Sequence, residues 1–130
     1  MKMVIGGVYQ GKDTYAEETF GIQPVDWIDG DICTRRDLYN CKAVMHFQSY
    51  IRRAVENGED LSGFAEDLIR YNPNMVIVTD ELGCGIVPMD PIERKYRETD
   101  GRICTKLASY SDEVHRVVCG IGVVIKNTEE

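Results

Sequence analysis

The sequence predicts an α/β fold, with helices on both faces of a mainly parallel sheet. Two observations carry this expectation. Short apolar stretches of strand length alternate along the chain with segments of helical periodicity, the pattern of a layered α/β domain. One of those stretches, Met75-Val76-Ile77-Val78-Thr79, is continuously apolar, as a strand covered on both faces must be.

The elements follow in order. Residues 2–5 read as a short buried strand running into Gly6-Gly7, and Asp13 to Phe20 as a helix ended by Gly21 and Pro24. Val25-Asp26-Trp27-Ile28 alternates apolar and polar and closes on Asp29-Gly30, a second strand and its turn. Leu38, Cys41, Met45, Ile51 and Val55 recur at helical spacing, which predicts one helix over 38–55 with its apolar face centred near Gln48. Leu61–Tyr71 is a further helix, stopped by Asn72-Pro73-Asn74. After the apolar strand at 75–79 comes the glycine-rich turn Gly83-Cys84-Gly85. Asp90-Pro91-Ile92-Glu93 then opens a helix with an N-cap, a first-turn proline and an acid. Its apolar positions are Ile92, Tyr96, Thr99, Ile103, Leu107 and Tyr110; 114–119 and 121–126 read as two closing strands. The expected organisation is a single domain over 1–126 with a loose tail at 127–130.

The chain has 130 residues, 43% hydrophobic and 28% charged, which is one ordinary globular domain. No apolar run approaches the roughly 20 residues of a membrane-spanning helix. The first residues lack the apolar core of a signal peptide, so a cytoplasmic protein with no membrane partner is expected. A net charge of −7 argues against nucleic acid as a partner. It leaves a phosphorylated small molecule possible, because backbone N–H groups can bind phosphate. Five cysteines with no C-x-x-C pair fit neither a disulfide framework nor a zinc site.

Gly6-Gly7-Val8-Tyr9-Gln10-Gly11-Lys12-Asp13 matches G-x-x-x-x-G-K-[ST] except at its last position. The glycines let backbone N–H groups converge on one cavity, and the lysine reaches the β- and γ-phosphates. The pattern follows a strand and opens a helix, as phosphate binding requires. Together with the α/β alternation it specifies a three-layer P-loop NTPase-like, or RecA-like, fold. The competing reading is a tight turn with a solvated lysine. Where a Ser or Thr hydroxyl would bind Mg²⁺ the chain carries Asp13, followed by Thr14. The loop therefore has the shape for phosphate, with its competence for phosphoryl transfer in question.

The stretch Thr79-Asp80-Glu81-Leu82-Gly83-Cys84-Gly85-Ile86-Val87-Pro88 is the most specific in the sequence. With Arg94-Lys95-Tyr96-Arg97-Glu98, Gly101-Arg102-Ile103, Lys106-Leu107-Ala108, Asp112-Glu113-Val114 and Gly120–Lys126, it resembles the adenosylcobinamide kinase / adenosylcobinamide-phosphate guanylyltransferase family. The resemblance implies Mg²⁺ with GTP or ATP, phosphorylation of the cobinamide hydroxyl, GMP transfer to the phosphate, and a homo-oligomer, trimeric by family habit. Gly6, Gly7, Val8, Tyr9, Gln10, Gly11, Lys12, Asp13 and Thr14 would hold the nucleotide, with Lys12 and Glu81 as catalytic candidates.

Asp80 and Glu81 leave the C-terminal end of a buried parallel strand, where ligands bind in such sheets. Asp80 is a candidate Mg²⁺ ligand. Arg94 and Arg97 share a stripe with Gly101 on the helix face opposite Ile92, Tyr96 and Ile103, which suits phosphate. Gly101, mid-helix, implies a close neighbour.

The chain also departs from the family. It is shorter between the first helix and Met75, Asp80 replaces an Asn, Met89 a Glu, and Cys104-Thr105 an Asn-Gln. Val25–Asp29 is read as the Walker B-like strand with Asp29 as the metal-binding acid, in preference to the strand before it. The family carries a GMP-accepting histidine on the helix after its second strand. Here His46 falls about 160° round the predicted helix from its apolar face, beside Lys42 and Arg53. That leaves His46 as a weak catalytic candidate, and no stable GMP adduct is expected. Two further readings stay open: a catalytically silent nucleotide-binding paralogue or regulatory partner, and a structural protein that keeps the fold without ligand.

Overall fold

Met3 and Val4, Ala43 and Val44, and Val76, Ile77 and Val78 are consecutive residues that are all buried. Neighbours on a strand point to opposite faces, so consecutive burial demands a sheet covered on both sides. The computed structural model, which describes residues 1–82 and 90–128, shows that arrangement. Six strands lie in the order β2-β3-β4-β1-β5-β6: β1 (Lys2–Gly6), β2 (Trp27–Asp29), β3 (Ala43–Met45), β4 (Val76–Asp80), β5 (Glu113–Val118) and β6 (Ile121–Asn127). All neighbours are parallel except the closing β5–β6 hairpin.

Helix α1 (Lys12–Phe20) covers one face, where Ala16 and Ile22 pack on Val4, Ala43, Val76, Val78 and Val117. The other face is covered by α3 (Phe47–Glu56), α4 (Phe64–Tyr71) and α5 (Pro91–Tyr110). There Phe47, Ile51, Phe64, Leu68, Ile103 and Leu107 pack on Met3, Val44, Ile77 and Val114. The result is a helix–sheet–helix sandwich of the P-loop NTPase-like class, as the alternation of elements requires.

The predicted helix over 38–55 is three elements. A four-residue helix α2 (Arg35–Leu38) is capped by Thr34 and Asp37, then comes β3, then α3. Leu38, Cys41 and Met45 fall at helical spacing by coincidence. The apolar triplet Ala43-Val44-Met45 is instead drawn into the sheet between β2 and β4, where both its faces are covered. Tertiary burial outweighs local periodicity in so short a run. His46 has φ 54 and turns the chain from β3 into α3.

Two further expectations on α5 give way. Its core face is Tyr96, Thr99, Asp100, Ile103 and Leu107, whereas Ile92 is 52% exposed. A Cβ on Gly101 would meet nothing within 4 Å among the described residues, so no close packing accounts for that glycine. The turn at 83–85, with Ile86-Val87-Pro88 and Met89, lies outside the described residues. No helix is long and apolar enough to cross a membrane among the described residues. Of the cysteines, Cys33, Cys41, Cys104 and Cys119 are unpaired thiols, and Cys84 is among the residues not described.

Candidate functional site

The site is built where β1 and β4 end side by side. Their register sets Gly6 opposite Asp80. From Gly6 the chain loops through Gly7–Gly11 and enters α1 at Lys12, so the lysine folds back over the strand ends. Gly11 caps α1 with φ 82, a left-handed conformation that a side chain would oppose. Lys12 is only 7% exposed, and its Nζ donates to the Gly7 carbonyl (2.6 Å) and to Asp80 Oδ1 (2.7 Å). Gln10 ties the loop to the β5–β6 turn, its side-chain oxygen accepting from Cys119 N (2.6 Å) and its carbonyl from Gly120 N (2.8 Å).

A cavity of about 310 Å³ opens above this pair, lined by Val8, Tyr9, Gln10, Gly11, Lys12, Asp13, Thr14, His46, Val78 and Asp80. Most of the loop expected from sequence therefore converges on one space. Gly6 and Gly7 are not among the described lining residues, and the Gly7 carbonyl holds Lys12. Burial raises the Asp13 carboxyl above its usual range; His46 and Lys12 oppose that, while Glu17 and Asp80 add to it.

Asp29 stands away from the loop, grouped with Asp31 and His46, with ligand atoms all within 4.8 Å of one another. The strand beside β1 is β4, not β2, which forms the sheet's edge two strands further out. Asp80 therefore occupies the acid position next to the loop. Asp29 instead accepts from the Asp31 backbone N–H (2.8 Å) and faces His46 Nδ1 (3.0 Å), with Asp31 Oδ2 at 3.7 Å. For Asp29, burial pushes the carboxyl up, but the Asp31 amide and His46 outweigh it and hold the group below its usual range. Burial pushes the His46 imidazole down, and the bond to Asp29 with the charges of Asp29, Asp31 and Asp13 more than reverses it.

Glu81 turns away from the cavity. Its backbone N–H donates to Gly6 O (2.8 Å), and its carboxylate takes both Nε and an Nη of Arg116 at 2.8 and 3.1 Å. Neither Arg94 nor Arg97 is among the described residues lining the cavity. Arg97 lies 3.6 Å from Glu93, which also receives Arg52. His46 lines the cavity, contrary to its predicted place on an outer helix face. It stands at the end of β3, whereas the helix after β2 is the four-residue α2, which has no histidine.

Sequence reasoning missed Gln48. It is 8% exposed and bonds to Thr79 and to both the backbone and the side chain of Asp80. A glutamine at the centre of an apolar helix face was the available signal, since a buried amide there requires partners.

For Mg²⁺ the donor set fits in kind. Hard carboxylate oxygens suit that ion, and two of them, on Asp13 and Asp80, line the cavity that holds Lys12.

A family model described as Cobinamide kinase / cobinamide phosphate guanyltransferase matches residues 38–125. The chain belongs to this family. Two curated relatives are similar to it, each called bifunctional adenosylcobalamin biosynthesis protein CobU. The Salmonella typhimurium protein is 50% identical over 57 residues, 44% of this chain and 32% of the relative. The Escherichia coli protein is 48% identical over 57 residues, with the same shares. These matches span about a third of each relative's length. The family match begins after the Gly6–Asp13 loop, so the phosphate reading of the loop rests on its own residues and geometry.

Proposed function

We propose that this member of the family binds GTP or ATP with Mg²⁺ in the cavity above Lys12 and Asp80, and transfers a phosphoryl group to the hydroxyl of an adenosylcobinamide-type acceptor. The single observation that carries the reading is the buried Lys12 Nζ, held between the Gly7 carbonyl and Asp80 at the ends of two parallel strands. A lysine so placed exchanges its protein acceptors for phosphate oxygens when a nucleotide enters, and the loop N–H groups contribute beside it. Asp13 and Asp80 would hold Mg²⁺, which would supply positive charge against the negative charge that develops on transfer.

His46 is near enough to the loop to share the cavity, but it does not stand on a helix after the second strand. The family's covalent GMP role is therefore not carried to it, and no stable GMP adduct is expected.

Asp13 favours a second reading. A carboxyl replaces the hydroxyl beside the phosphates and adds negative charge there, which suits a nucleotide-binding paralogue that does not turn over.

The test is calorimetric titration with GTP and with ATP, each with and without Mg²⁺, on the parent and on Lys12→Ala. Loss of the charge-assisted bond should weaken triphosphate binding at least tenfold, or about 1.4 kcal/mol. Equal affinity in the two proteins would remove the nucleotide reading.

A further inference from the structure

We infer that Gln48 is the positioning residue for Asp80: it fixes the plane in which the Asp80 carboxylate presents an oxygen to the phosphate cavity. This rests on the nucleotide reading above. A carboxylate on a strand end turns freely about its last torsion, whose wells are broad and two-fold. Gln48 removes that freedom by gripping Asp80 at two points. Its side-chain oxygen accepts from the Asp80 backbone N–H at 3.0 Å, and its amide nitrogen donates to Asp80 Oδ2 at 3.2 Å. Oδ1 is left to face Lys12 at 2.7 Å. The Thr79 hydroxyl donates to the same Gln48 oxygen at 3.3 Å, which holds the amide the right way round.

The placement follows from the backbone. β3 lies next to β4, and the single left-handed residue His46 reverses the chain directly into α3. Gln48 therefore falls in the first turn of α3, over the end of β4. Only an amide meets all the demands there. An acid would repel Asp80, a lysine or arginine would compete with Lys12, and an apolar side chain would leave the buried Asp80 N–H without a partner. When a triphosphate draws Lys12 away, Asp80 Oδ1 still points into the cavity, and that is the oxygen suited to a hard cation.

The experiment measures GTP affinity in Mg²⁺ and in EDTA for the parent, Lys12→Ala, Gln48→Met and Gln48→Glu. Methionine keeps the volume of the glutamine, and glutamate keeps its length and the acceptor for the backbone N–H. Both Gln48 variants should lose about tenfold of the affinity gain that Mg²⁺ confers, the scale of one bond to a charged group, and the neutral Gln48→Met variant should keep its affinity in EDTA within about twofold. A merely structural role would lower both affinities together. An unchanged Mg²⁺ gain in either folded variant overturns the proposal. Failure of the parent to bind GTP, or indifference to Lys12→Ala, removes the nucleotide reading instead. The crystal structure of a Gln48 variant then decides this inference by itself: Asp80 turned off Lys12 supports it, and Asp80 still seated on Lys12 overturns it.

Discussion

The centre and the edge of the sheet each bring acids and a basic group together, but under opposite conditions. At the centre, Lys12 and Gln48 are under 10% exposed, and they share the two oxygens of Asp80 between them. At the edge, the Asp29, Asp31 and His46 side chains are 36%, 55% and 42% exposed, and water reaches all three. Buried polar groups must satisfy one another, so the centre is defined by geometry. Exposed groups have water as an alternative partner, so the edge is defined by charge, and charge varies with pH. The centre therefore holds a fixed contact, and the edge responds to protons.

The largest expected effect breaks the edge. A methyl on Gly30 would overlap the backbone carbonyl of His46, because β2 and β3 meet there through the Gly30 N–H to Met45 O bond (2.8 Å). Gly30→Ala should cost about 3 kcal/mol in urea unfolding, since backbone rather than a flexible side chain must move. A cost below that of an exposed surface substitution would show that the edge yields easily.

Next comes Asp100, a buried acid on α5 with no basic partner among the described residues. Burial raises its carboxyl to about 6; the bond from Cys104 opposes this and the charge of Asp80 adds to it. A raised folded value means that its contribution is fully present below about 3.8 and is lost as pH rises through about 6. That change is worth at most about 3 kcal/mol, and burial of a replacement amide returns part of it. Asp100→Asn should therefore stabilise the protein by about 2 kcal/mol at pH 7, with the gain vanishing below pH 4. Parallel stability curves for the two proteins across that range would contradict the assignment.

A smaller effect concerns the group between the two regions. Asp13→Ser removes a carboxyl that lines the cavity and supplies a hydroxyl in its place. GTP binding in Mg²⁺ should tighten about threefold, with a steeper dependence on the metal. A variant indistinguishable from the parent would place any catalytic defect elsewhere than Asp13.

The smallest effect sharpens the edge. The raised His46 value adds stability that is lost as pH rises through it, and the lowered Asp29 value adds stability that is lost as pH falls through it. Their joint contribution is thus greatest between the ordinary values of 3.8 and 6.5. Asp29→Asn should lower the His46 titration midpoint in proton NMR with little change in overall stability, as expected of a part-exposed pair. An unmoved midpoint would show that Asp31 and Asp13 suffice.

Much of this was legible in the residues. The turn from β1 into α1 is legible because closely spaced glycines after a short apolar strand mark a tight turn into a helix. The strand read at 75–79 is legible because Met75-Val76-Ile77-Val78-Thr79 is a continuous run of strand length just after Pro73. α5 is legible from its cap at Asp90-Pro91. The run at 43–45 was not, because three residues are too few to separate a strand from part of a helix. Asp29 was read as the acid of the Walker B-like strand and Asp80 as a further metal candidate, since each ends a strand-like segment and neither segment shows its place in the sheet.

The sequence by itself determined the fold class, the phosphate-loop shape, the family resemblance and the departure at Asp13, all of which are local or periodic properties. Only the tertiary structure decided that β4 and not β2 lies against β1, that Asp80 therefore meets Lys12, and that Gln48 holds it there. Strand order is not written in any segment. It comes from which apolar faces find cover when all of them pack at once, and the polar contacts at the strand ends follow from that order.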